Sequence, residues 1–88
     1  MSKVIRGVHA FNEMSILDRE GRMGFHLVDF GPWKVVVEPS QEGWEHLRLV
    51  FASPTALLAL QEAGWTVVGT WFAFTYLKRP TGSPVERA

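Results

Sequence analysis

Trp65–Leu77 reads WTVVGTWFAFTYL, a run without a single charge. Side chains alternate across a strand, so Trp65, Val67, Trp71, Ala73 and Leu77 fall on one face. Val68, Phe72, Phe74 and Tyr76 fall on the other. A strand with one solvated face carries polar residues at every second position. This run does not, and read as one long strand it must be covered twice. One cover is its own helix. The other is an N-terminal strand folded back into a small sandwich or barrel, or a second copy of the chain. Symmetric homodimers are the commonest way to bury such a surface. The reading therefore expects a homodimer with Trp71, Phe72, Phe74 and Tyr76 at its interface.

Immediately before the run lies a well-signalled helix. Ser53 is a good N-cap, Pro54 suits the first helical position, and Gly64 stands where a C′ glycine ends a helix. Thr55–Ala63 between them is rich in Ala, Leu, Gln and Glu. Leu57 and Leu60 share a face and are expected to be buried.

Further upstream the pattern favours strands. Lys3–Ala10 alternates weakly. Asp18-Arg19-Glu20-Gly21 fits a type I turn closing a hairpin between Met14–Leu17 and Met23–Phe30. A helix from Glu13 to Glu20, capped by Asn12 and ended by Gly21, competes with that hairpin, which is preferred. Gly31-Pro32 leads into Trp33–Glu38, Pro39–Gly43 is a polar loop, and Glu45–Ala52 alternates. Sorted by side, Phe25, Leu27, Trp33, Val35, Val37, Leu47, Leu49 and Phe51 give an apolar face. The opposite face mixes His26, Val28, Phe30, Lys34, Val36, Glu38, His46, Arg48 and Val50. No internal repeat is visible. The expected fold is α+β: a mainly antiparallel, twisted sheet of five to six strands with one helix on one face, in the order β-β-β-β-β-α-β. Residues 1–79 would form the single domain and 80–88 a mobile tail.

Composition excludes more than it assigns. Nine basic and nine acidic residues cancel, which argues against a broad phosphate-binding surface. Without cysteine there is no disulfide, zinc–thiolate site or thiol nucleophile. MSKVIRGVHA lacks the apolar core of a secretory signal, and the 65–77 run is shorter than the ~20 residues of a helical membrane span. A cytoplasmic protein of bacterial, phage or plasmid type, away from membranes, is the expectation. No GxSxG, GxxxxGK[ST] or GxGxxG motif occurs, so no enzyme, catalytic residue or cofactor is expected.

The mixed face supplies the candidate contacts. His26 and His46, with Asp29 or Glu45, have ligand chemistry but no close metal-binding spacing, so no metal is expected. Lys34, Arg48 and His46 could hold an anion, and ordinary cross-strand pairs with Glu38 and Glu45 compete with that role. Of the four tryptophans, Trp44 lies in the polar EGWEH stretch and is expected to be the most exposed and the best ligand contact. ALLALQEAGWTVV followed by FTYLKRP resembles the end of small uncharacterised bacterial domains of the DUF4177 kind. The likeness covers Leu57 to Pro80, less than a third of the chain, and brings no activity with it. Two functions follow from the residues. The first is a small, self-associating protein-interaction module. The alternative is a single-stranded nucleic-acid binder using the mixed sheet face.

Overall fold

The computed structural model of the chain describes residues 1–84. These form β1 (Lys3–Arg6), α1 (Glu13–Arg22), β2 (Phe25–Gly31), β3 (Lys34–Pro39), β4 (Glu42–Val50), α2 (Pro54–Glu62), β5 (Thr66–Trp71) and β6 (Phe74–Pro84). The strands make two antiparallel three-stranded sheets, ordered β1-β3-β2 and β4-β6-β5. The α+β class with antiparallel strands agrees with the sequence reading. A single sheet of five or six strands with one helix does not, and two local misreadings account for the difference.

The first is Glu13–Arg22, which is a helix and not a hairpin. Asn12 occupies the N-cap, Glu13 stands in the first turn, and Arg19 and Arg22 in the last, each sign matching the helix dipole. The helix is ended by Gly24 at φ +88°, leaving Gly21 inside it. Gly21 is there for a different reason: a Cβ on it would collide with the Trp44 carbonyl oxygen. It lets α1 lie directly against β4.

The second is the charge-free run itself, which is two strands joined by a turn. Phe72 and Ala73 make the reversal, with Phe72 at φ +53°. Such turns usually announce themselves with Gly or Asn at the positive-φ position. Here a phenylalanine occupies it. A bulge between Val67 and Gly69 then shifts the register, so that Gly69 opposes Tyr76 and Trp71 opposes Phe74.

With these corrections the chain is a structural duplication, β-α-β-β followed by β-α-β-β. Both sheets place the third strand of their half in the centre. Gly24 and Gly64 both end helices at positive φ. Leu27 pairs with Val37 just before one bulge, as Val67 pairs with Leu77 before the other. Each of these equivalent positions is displaced by the same interval in the numbering. The two halves share few residue identities, so the repeat is invisible to the eye in the sequence.

The halves stack with α1 between the sheets. Leu27, Val35 and Val37 of the N-terminal sheet join Val8, Leu17 and Tyr76 in the main buried cluster. The bulge before Asp29 turns Phe30 toward this core, since Phe30 opposes Val35. On the C-terminal sheet, Arg48 opposes Tyr76 and shares its face, which looks toward α1. Leu47, Leu77 and Val67 lie in one row on the other face, and Leu77 is fully buried. The Ser53 hydroxyl caps α2 by accepting the Ala56 N–H at 3.1 Å. Leu57 and Leu60 are half-buried, not buried, and no residue of α2 is fully covered. The expected tail at 80–88 falls partly on β6, which runs to Pro84, and partly on 85–88, outside the described residues.

Candidate functional site

Two clusters of side chains stand out, and their chemistry differs. The first joins the two halves along β2. The Leu27 N–H and C=O turn away from β3 and are satisfied by side chains of the other sheet. His46 Nε2 accepts the N–H at 3.0 Å, and Lys78 Nζ donates to the carbonyl at 2.8 Å. Lys78 also reaches His26 Nδ1 at 2.7 Å, and the His26 ring stacks on Trp44 with centroids 4.6 Å apart. Trp44 in turn donates from Nε1 to the Ser40 hydroxyl at 2.6 Å and is half-buried. Because His46 Nε2 accepts, its proton resides on Nδ1, which is buried without a hydrogen-bond partner among the described residues. Burial, and then the Lys78 charge, lower the His46 pKa to about 4. Burial likewise lowers Lys78 and His26, the latter with help from Lys78.

This cluster is a side-chain substitute for a missing strand: one acceptor and one donor close the open edge of β2. It explains His26, His46, Trp44 and Lys78 without a ligand. Asp29 and Glu45 are elsewhere, on the Phe30 N–H and on Arg79. Among the described residues no group of three His, Asp or Glu is arranged to hold a metal ion. Nor are Lys34, Arg48 and His46 brought together. Lys34 opposes Arg6 on the N-terminal sheet, Arg48 is ion-paired with Glu13, and His46 is buried. The mixed face read from the sequence is thus not one surface.

The second cluster is a cleft of about 250 Å³ between the sheets, at the end of the molecule where both hairpins turn. Trp33 and Trp71 stand on its sides, with Phe30 and Phe74 deeper. At its base Arg48 Nη1 donates to Glu13 Oε1 at 3.1 Å and to the Ala10 carbonyl at 3.2 Å, and its guanidinium lies over the Phe74 ring at 5.1 Å. Tyr76 is buried against Phe30, ring centroids 4.6 Å apart. Burial, then its hydrogen bond to Glu13, push the Tyr76 hydroxyl well above its ordinary pKa. It stays protonated. Arg48, Glu13 and the Ala10 carbonyl are engaged with one another, and His9, which also lines the cleft, accepts the Phe11 N–H at Nδ1 (3.2 Å).

Exposed aromatics gather at this end of the molecule, and of them Trp33 and Trp71 line the cleft. Trp33 is 70% exposed, Phe72 86%, Phe51 82% and Trp71 49%, and Phe11 on the adjoining β1–α1 loop is 98% exposed. Three of these, Trp33, Phe51 and Phe72, have positive φ (68°, 51° and 53°), and they are the only such non-glycine residues among those described. The left-handed region costs an L-residue about 1–2 kcal/mol. Backbone hydrogen bonds hold two of them there: the Val8 N–H on the Trp33 carbonyl at 3.0 Å, and the Phe51 N–H on the Ala73 carbonyl at 2.8 Å. On the β1–α1 side, the Asn12 side chain accepts from the His9 N–H and donates to Gly7, fixing the loop that carries Phe11.

The residues expected at an interface are therefore split. Phe72 and Trp71 are at the rim, Phe74 is half-buried in the cleft, and Tyr76 lies in the core. Trp33, Phe51 and Phe11 were not singled out as contacts, since Trp33 and Phe51 read as ordinary apolar strand positions. Gly31-Pro32 before Trp33 was the one available signal: Pro at the second position of a turn calls for positive φ at the third in type II. Compared with known proteins, the chain matches no family model, no curated protein and no solved structure.

Proposed function

We propose that this protein is a small, non-enzymatic protein-interaction module whose working surface is the aromatic end. The observation that supports the reading is the coincidence of exposure and strain. Three bulky aromatics occupy left-handed backbone positions where glycine or asparagine would relieve strain, and all three project to solvent: Trp33 lines the cleft, Phe72 follows its wall residue Trp71, and Phe51 is bonded to Ala73 of the same turn. Strain of this kind persists where surrounding structure enforces it, and it gathers at functional sites. An exposed apolar patch rimmed by polar surface marks a contact site, and a pocket bordered by aromatics is the anatomy of an interface hot spot. The test places a photo-crosslinking phenylalanine analogue at Phe51 in cells of the native host. Crosslinks to protein are expected; none at all would overturn the reading.

A second reading rests on Arg6 and Lys34. They oppose each other directly across β1 and β3, one residue from Trp33, and among the described residues neither forms an ion pair. Like charges so placed are destabilising on their own. With the nearby aromatics they offer a phosphate contact and stacking platforms for unpaired bases. That reading requires affinity for single strands that collapses between low and moderate salt. Crosslinks at Phe51 to nucleic acid alone would favour it.

A further inference from the structure

We infer that the partner of the aromatic end is a second copy of this chain, docked about a two-fold axis so that Phe72 of each copy enters the other's cleft between Trp33 and Trp71. The inference rests on the interaction-module reading and names its partner. A two-fold interface brings one patch against itself, so the patch must carry both a projection and a recess that fits it. This one does. Phe72 projects from the β5–β6 turn, 86% exposed, and the residue before it, Trp71, is a wall of the cleft. An axis passing beside Trp71 sets each projection over the opposite recess. At about 250 Å³ the recess is smaller than the clefts that hold drug-sized ligands and suits one aromatic side chain.

Area and charge agree with this occupant. Aromatic side chains bury about 150–250 Å² each. Weighted by their exposures, Phe11, Trp33, Phe51, Trp71 and Phe72 together offer roughly 600–950 Å² per copy, a range that includes the ~800 Å² per partner of a standard stable interface. The charges at the base of the cleft, Arg48 and Glu13, neutralise each other, so an aromatic ring entering above them finds that pair already satisfied. The chain as a whole has no net charge to oppose pairing.

The experiment is sedimentation velocity of the full chain from low to high micromolar concentration. Wild type is expected to show a reversible monomer–dimer equilibrium. Phe72→Ala removes the projection and Trp33→Ala opens the recess, and each should weaken the dimer about tenfold or more, as hot-spot residues do. Leu58→Ala, on the exposed side of α2, should not. Both cleft variants alter exposed side chains, and unchanged urea midpoints will show that they fold. Mixing them gives the sharpest arm. Neither variant alone has an intact contact, whereas the mixed dimer restores one, so the mixture should associate more tightly than either component. A wild type that stays monomeric throughout, or a dimer indifferent to Phe72, overturns the inference. A monomer that still crosslinks through Phe51 to a different protein overturns the two-fold dimer and leaves the module reading standing.

Discussion

At the residue scale the informative positions are those where the wrong-looking amino acid is present. Phe51 is exposed and left-handed, so asparagine, which tolerates that conformation, should suit the fold better. Phe51→Asn is expected to raise stability by about 0.5–1 kcal/mol, seen as a higher urea midpoint, while weakening association. A loss of stability would show that the phenylalanine serves the fold and not a partner. Gly21 is the opposite case. Alanine normally improves a helix interior over glycine by about 1 kcal/mol. At this site the added methyl meets the Trp44 carbonyl, a backbone atom that cannot swing away. Gly21→Ala should therefore destabilise, by roughly 1–3 kcal/mol, because α1 must move off β4. A neutral result in denaturant titration would mean that α1 and β4 are not in close contact.

At the element scale the two helices are equivalent in topology and unequal in burial. α1 lies between two sheets and buries Leu17 completely, whereas α2 buries no residue completely and leaves Leu57 and Leu60 half-buried. Leu17→Ala should cost about 2–5 kcal/mol, in the range of fully buried leucines. Leu60→Ala should cost distinctly less, and urea titration of the two variants compares them directly. The same inequality governs what could be read in advance. α2 was legible because its signals are local: Ser53 caps it, Pro54 starts it and Gly64 ends it. α1 was not, because Asp18 and Gly21 imitate a turn, and because its buried face includes Glu13, Glu20 and a glycine. Those acids are buried only because Arg48 and Lys3 come from distant strands to pair with them. The β5–β6 turn was hidden for a related reason. Phe72 holds a position that propensity assigns to glycine, so a hairpin read as one strand. Local rules fail here at the residues that form the proposed site.

At the scale of the whole molecule, the two halves are held together by a contact that depends on pH. His46 must be neutral at Nε2 to accept the Leu27 N–H, and its folded pKa is about 4 against an ordinary value of 6.5. Between those values the unfolded chain binds a proton that the folded chain excludes. Stability is accordingly full above pH 6.5 and falls as the pH drops toward 4, by at most about 3 kcal/mol from this residue. The lowered His26 pKa acts in the same direction. Urea midpoints measured at neutral pH and near pH 5 should show the loss. His46→Gln, which keeps an acceptor but does not titrate, should flatten it. Equal pH dependence in the variant would assign the effect to other groups.

The duplication also separates the molecule into a closed region and an open one. The β2 edge is sealed by His46 and Lys78, and the core by Leu17, Leu27 and Val35, while the turn end is left apolar and exposed. The central claim is that this end is where the protein makes contact. Backbone amide NMR spectra of the full chain, recorded from low to high micromolar concentration, test it residue by residue. Concentration-dependent shifts or broadening should be confined to Phe11, Trp33, Phe51, Trp71 and Phe72 and the residues lining the cleft, with α2 and the His46 region unchanged. Changes centred on α2, or spectra that do not depend on concentration, would contradict self-association at the aromatic end.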